Sequence, residues 1–206
     1  MFPSIVYEDL VRFDTGRMGP DVRFLAGVDE AGRGALAGPV VAAAVICEPH
    51  EDLVRVRDSK LLSEPLREEL YEAILSLSLS IGVGIVGPNE IDRSNILRAT
   101  LKAMREAVER LEIKPCWVLV DGNHSPGVEQ PVETVTGGDR KSFSIASASI
   151  VAKVTRDRIM RKAADEFPWY GFGKNKGYGT EGHIEVIARR GLTKLHRRSF
   201  KIRSHL

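Results

Sequence analysis

Asp29 and Glu30 end the apolar run Phe24-Leu25-Ala26-Gly27-Val28 and are followed at once by Gly32-Arg33-Gly34. The run reads as a buried strand. Two adjacent carboxylates at the end of such a strand cost desolvation energy unless a positive partner offsets it. The run Phe24–Val28 carries no Lys or Arg, so a hard divalent cation, which prefers carboxylate oxygens, is the natural partner. The glycines let a backbone approach a ligand closely. Two further acids share the same setting: Asp121 follows the apolar run Trp117–Val120, and Asp139 follows Gly137-Gly138. Alone, Asp121-Gly122 is a turn word and Asp139 a turn or cap residue. Together the four are far more specific. With no thiol or metal-spaced histidine pair among them, they select magnesium or manganese rather than zinc. Two such ions clamp a scissile phosphate, one activating water and the other stabilising the leaving oxygen. Successive strand residues point to opposite faces, so a shared site predicts that the strand ends or bulges between Asp29 and Glu30.

The elements that must position these acids follow from periodicity. Strands are predicted at 23–30, 39–47, 80–87, 117–120 and 133–136. Helices are predicted at 63–79, with Ser63 as N-cap, and at 89–111, 142–166 and 180–190. A short helix and turn occupy the first 20 residues, and a Pro- and Gly-rich stretch spans 168–179. Glycines 82, 84 and 87 suggest close packing or strong twist in the third strand. The order implies a three-strand meander to which later strands add in parallel through helical crossovers, an α/β fold with a mixed sheet. If the first and fourth strands are neighbours, Asp29 and Asp121 converge where α/β sheets bind ligands.

The 206 residues suffice for one sizeable domain, and 43% hydrophobic composition suffices for its core. The division expected is an N-terminal extension (1–22), a catalytic domain (23–167) and a basic C-terminal segment (168–206) within the same substrate-binding unit. Net charge is only +2, yet residues 168–206 hold nine Lys or Arg against two Glu, so +7 sits there and −5 elsewhere. A basic segment beside an acidic body fits a polyanion held over a metal site; a solvated tail is the plain alternative. Cys47 and Cys116 read as buried hydrophobes rather than a disulfide or zinc pair. The N-terminus lacks a signal-peptide pattern and the apolar stretches fall short of a membrane span, so a cytoplasmic chain is expected. Gly32-x-Gly34-x-x-Ala37 formally matches a dinucleotide fingerprint, but a strand follows where a helix is needed, and the acids would repel a pyrophosphate.

The segment Gly27-Val-Asp-Glu-Ala-Gly-Arg-Gly-Ala-Leu-Ala-Gly-Pro-Val40 closely resembles the opening motif of the ribonuclease HII family. The resemblance continues through Asp58-Ser59-Lys60, Asn95-Ile96-Leu97, Val120-Asp121-Gly122, and Gly138-Asp139 to Ser147–Lys153. It extends further through Thr155–Arg158, Lys176–Thr180 and His196–Phe200. It implies a ribonuclease H-like fold, a five-stranded mixed sheet flanked by helices, with a C-terminal helical segment. It implies cleavage of the RNA strand of RNA–DNA hybrids and incision 5′ of single ribonucleotides in duplex DNA, as in ribonucleotide excision repair. The products would carry 3′-hydroxyl and 5′-phosphate ends, and the enzyme would act as a monomer with Mg2+ or Mn2+.

The resemblance makes Asp29, Glu30, Asp121 and Asp139 the metal-binding catalytic acids. It makes Gly32, Arg33 and Gly34 the reader of the 2′-hydroxyl and adjacent phosphates. Tyr178 becomes the ring packed on the junction sugar, and Asn95 joins the substrate-binding set. Asn175 departs from the histidine expected in many bacterial members. Bottom-up reasoning agrees that a protein telling RNA from DNA must contact the 2′-hydroxyl. Lys60, Lys153, Arg158 and Lys176 are candidate phosphate contacts, with pairing to Asp157 along the helix as the alternative for Lys153 and Arg158. A core role is the alternative for Tyr178. Within the same fold class a DNA-directed nuclease is the rival; a non-cutting hybrid-binding module is the rival of another class.

Overall fold

A computed structural model describes residues 4–19 and 22–202. The apolar runs form five strands: β1 (Leu25–Ala31), β2 (Val40–Ile46), β3 (Ser80–Val86), β4 (Trp117–Asp121) and β5 (Val132–Val135). Their order is β3-β2-β1-β4-β5. β1, β2 and β3 pair antiparallel, while β4 joins β1 and β5 joins β4 in parallel. The predicted meander with parallel additions is therefore the observed ribonuclease H-like topology.

Seven helices are described: α1 (Ser4–Thr15), α2 (Glu64–Leu77), α3 (Pro88–Arg93), α4 (Ile96–Glu109), α5 (Phe143–Glu166), α6 (Phe172–Asn175) and α7 (Glu181–Arg190). Strand alternation sends Ala26, Val28, Val40, Ala42 and Ala44 to one face, where they pack with Met104 and Val108 of α4. Ala31, Ala43 and Val45 face the other way, against Phe143, Ile150 and Val151 of α5. Helix α5 lies hard on β1: a Cβ on Gly27 would sit 2.0 Å from the backbone carbon of Ser144. Gly82 and Gly84 do the same service for α4, since a Cβ at either would stand 1.9 Å from a helix carbonyl. At these two positions close packing is the reason for glycine; at Gly87 a Cβ would meet nothing within 4 Å.

One expectation changes. The single helix over 89–111 is two helices, because Ser94 leaves helical geometry and extended Asn95 caps α4 by accepting the Arg98 N–H at 2.9 Å. The described part of the N-terminal extension packs on the domain. Leu10 is buried in the α5-side core, and Asp14 accepts the Ser144 N–H and hydroxyl, each at 2.8 Å, at the start of α5. The C-terminal segment likewise docks on the body: Tyr170, Phe172 and Ile187 cluster with Met160 of α5 and Ala37. No described helix is long and apolar enough to cross a membrane.

Candidate active site

The strand β1 neither ends nor bulges between its two acids, contrary to the expectation. It pairs regularly with β2 through Asp29↔Ala43, Glu30↔Ala42 and Ala31↔Val41. Asp29 therefore shares the α5 face with Ala31, and Glu30 lies on the α4 face with Val28. They still belong to one site because the parallel partner stops first. The last β1–β4 pair is Val28↔Val120, and the chain turns away after Asp121 through Gly122 at φ +102°. Asp29 and Asp121 thus emerge side by side at the end of the sheet, while Glu30 reaches it from the opposite face. Asp139 enters from a 3-10 turn just ahead of α5.

Electrostatics shows the crowding. Burial pushes the Asp29 carboxyl well above the usual carboxylate range, and repulsion from Glu30, Asp121 and Asp139 adds to it. Glu30 is raised by burial and by Asp121, against the pull of Arg33. Burial raises Asp121 too, with Asp139 adding to it against the Gly138 hydrogen bond. Each acid is turned to a protein partner. Asp29 accepts the Glu30 N–H at 2.7 Å, and Glu30 faces Arg33 at 3.4 Å. Asp121 accepts the Gly138 N–H at 2.6 Å, and Asp139 accepts from Lys60 Nζ at 3.1 Å. Among the described residues no three acidic, histidine or cysteine side chains stand ready as a closed ligand set. The donor chemistry nevertheless fits a hard divalent cation: oxygen donors only, partly buried, repelling one another, and already drawing in an ammonium. Burial pulls Lys60 down, but Asp139, Asp58 and Asp29 outweigh it and hold the lysine above its ordinary value. Asp58 also fixes the lysine's backbone, accepting the Lys60 N–H at 2.9 Å.

Beside the acids runs the loop that begins at Gly32. Gly32 has φ +95°, and a Cβ there would strike Arg156 Nε at 1.9 Å, so the fold itself demands glycine. Gly34 is different: a Cβ would meet no described protein atom within 4 Å. Nothing in the described fold asks for glycine at 34, and the space beside it is open to a ligand. Arg33 and Gly34 are exposed. Tyr178 approaches from the C-terminal segment, its ring 5.2 Å from the Arg156 guanidinium and 5.8 Å from Lys153 Nζ. Lys153 is held by Asp157 at 2.7 Å, the helical pairing the spacing allowed. Lys176 is buried at φ +52° and donates to the Gly173 carbonyl.

Two predicted contacts are drawn elsewhere. Arg158 pairs not with Asp157 but with Glu68 and Glu72 at 2.6 and 2.7 Å, tying α5 to α2. Asn95 spends its side-chain oxygen on the α4 cap. Asn175 holds the turn before Tyr178, accepting the Gly177 N–H at 2.8 Å and donating to the Tyr170 carbonyl at 2.7 Å.

Sequence reasoning missed the buried support behind the loop: Arg156, His183, His196 and Arg197, all at most 3% exposed. Arg156 donates to the carbonyls of Pro39 (2.9 Å) and Ala37 (3.1 Å), and its buried Nη1 has no partner among the described residues. A basic residue in a basic segment gives no sign of being buried.

The family profile described as ribonuclease HII matches residues 26–203. A ribonuclease HII of Syntrophus aciditrophicus is 56% identical over 182 residues, 88% of this chain and 86% of that protein. One of Geobacter metallireducens is 51% identical, covering 88% and 86%. Among solved structures, the chain matched in the PCNA:RNase HII complex from Archaeoglobus fulgidus superposes with a TM-score of 0.74 at 30% identity. That match covers 89% of this chain and 98% of the other.

Proposed function

This chain belongs to the ribonuclease HII family and is a ribonuclease H acting on the RNA strand of RNA–DNA hybrids; from that premise we propose that it also incises duplex DNA 5′ of a single embedded ribonucleotide, leaving 3′-hydroxyl and 5′-phosphate ends. The observation that carries this reading is the meeting, at one sheet end, of four mutually repelling carboxylates with a glycine loop open to a ligand at Gly34.

Asp29, Glu30, Asp121 and Asp139 would hold two divalent cations, Mg2+ or Mn2+. When bound, such ions would supply an activated water and stabilisation of the departing 3′-oxygen. The carboxylates fix where the scissile phosphate can sit. Lys60, drawn to Asp139 yet with an exposed side chain, is placed to swing to a phosphate oxygen. The backbone of 32–34 reads the 2′-hydroxyl, since only a contact to that group separates RNA from DNA. Tyr178 supports the sugar at the junction, with Lys153 beside its ring. Lys174, Arg189 and Arg190 of the C-terminal segment are exposed and grip the duplex backbone. One chain carries every acid and both loops, which supports an enzyme that works as a monomer.

The test uses three duplexes: all-DNA, DNA with one ribonucleotide, and a long RNA–DNA hybrid, each with magnesium, manganese or chelator. Cutting of the second and third only, 5′ of the ribonucleotide and only with metal, is expected. Robust cleavage of all-DNA duplex would instead favour a DNA-directed nuclease.

A further inference from the structure

The loop at 32–38 and the Tyr178 turn are fastened to each other and to one short segment, 195–197. Gly177 lends its carbonyl to the N–H groups of Leu36 (2.8 Å) and Ala37 (3.1 Å). The Gly38 N–H donates to the Leu195 carbonyl and the Arg197 N–H to the Leu36 carbonyl, at 2.8 and 2.9 Å, around an antiparallel bridge between Ala37 and His196. From this bridge two successive side chains reach in opposite directions.

Arg197 spreads its fork over the loop: Nε to the Gly38 carbonyl at 3.0 Å, Nη1 to Arg33 at 2.9 Å and Nη2 to Gly32 at 2.7 Å. Among the described residues no carboxylate neutralises it at contact distance; burial and the neighbouring Arg156 bring it down to about 9. The arrangement has a directional result. A trans peptide plane sets its N–H opposite its C=O, and no cis bond is described. With the Gly32 and Arg33 carbonyls drawn inward to Arg197, the N–H groups of Arg33 and Gly34 face outward, beside the open space at Gly34.

His196 works the other loop. Its Nδ1 accepts the Thr193 N–H at 2.9 Å, so the ring proton lies on Nε2. That proton is donated to His183 Nε2 at 3.1 Å, which places the His183 proton on Nδ1, donated in turn to the Tyr178 carbonyl at 2.9 Å. Every ring nitrogen is satisfied and each tautomer is determined by its neighbour.

We propose that His196 and Arg197 are positioning residues that join the 32–34 loop and Tyr178 into a single reader, so that a ribonucleotide is accepted by both arms together or by neither. The inference rests on the ribonucleotide reading above and adds what sets its selectivity. A local, merely structural role for each side chain would disturb only the loop it touches. A joined reader transmits the disturbance.

Two variants attack different arms: Arg197→Lys keeps the charge but cannot serve three carbonyls, and His183→Phe keeps a ring but breaks the relay. Each is assayed for kcat and KM on the single-ribonucleotide duplex and on the long hybrid. Hydrogen exchange is followed in 32–38 and 176–180. Both variants should lower kcat/KM on the single-ribonucleotide duplex about tenfold more than on the hybrid, the scale of a lost hydrogen-bonded contact. In both, both segments should exchange faster. Combining either with Tyr178→Ala should cost much less than the sum of the separate losses. Equal losses on the two substrates, exchange confined to one segment, or additive losses would overturn the joined reader while leaving the ribonucleotide reading intact. A wild-type enzyme that spares the single ribonucleotide would overturn both. If Arg197→Lys does not fold, the exchange pattern of His183→Phe decides alone.

Discussion

At the end of β1 and β4 four carboxylates crowd together and raise one another's proton affinity; behind the adjoining 32–38 loop, buried Arg197 and the two histidines find a partner for every polar side-chain atom they carry. The first region is electrostatically unfavourable in the bare protein and gains by binding cations. The second is satisfied by the protein and gains nothing from a ligand. Chemistry sits where the fold crowds like charges, and positioning sits where every polar side-chain atom already has a protein partner.

The largest effect should come from the crowded end. Asp29→Asn or Asp121→Asn should slow turnover at least ~10³-fold, about 4 kcal/mol of barrier. In chelator the same variants should melt higher than wild type, because a like-charge repulsion is relieved. Near-wild-type rates in saturating magnesium would move the chemistry elsewhere.

Acid separates the two regions by sign. His196 is held down to about 4 by burial and by His183, below its ordinary 6.5. Its stabilisation is complete above about 6.5 and is lost as pH falls through 4, by about 3 kcal/mol at pH 4. Asp29, Glu30 and Asp121 are raised, so in the metal-free protein their repulsion fades over part of the same descent. Hydrogen exchange corrected for intrinsic rates should show protection lost around 177–197 but not around 27–30. Uniform loss would mean the two regions titrate as one.

Gly34→Val tests whether the loop faces a ligand. The fold has room for the side chain, so melting should hold while cleavage at a single ribonucleotide falls about tenfold or more. Gly32→Ala, by contrast, should cost stability as well, since its Cβ would strike Arg156. Equal behaviour of the two variants would erase the distinction.

The smallest effects belong to the surface. Arg158→Ala should cost at most about 1 kcal/mol, as a partly exposed ion pair does, and leave binding unchanged. Arg189→Ala should lower the log–log salt slope of duplex binding by about 0.9. A slope change for Arg158→Ala instead would restore the phosphate role its spacing suggested.

The strands and the acids were legible because burial leaves a mark in sequence: apolar runs end in carboxylates, and Gly82 and Gly84 announce a helix lying close. The break at Ser94-Asn95 was missed because the apolar spacing that marks the helix begins only at Leu97 and leaves 89–96 without a pattern of its own, so the helix was extended back through a capping word. Arg197 and Arg156 were missed for a deeper reason. Counting charge placed Arg197 in a basic surface that holds phosphates, whereas it lies inside and holds carbonyls. Burial of a charged side chain is decided by segments distant in sequence, and no local pattern records it. The histidines at 183 and 196 likewise have no spacing that marks a pair.

The bond from Arg197 to Gly38 spans 159 residues. During synthesis the 32–38 loop therefore leaves the ribosome long before the residues that fasten it, while β1, β2 and β3 can already pair as a meander. A nascent chain can own Asp29 and Glu30, and later Asp121 and Asp139, before its reader has any fixed shape. The order of manufacture therefore completes the four acids before the segment that gives their reader its shape.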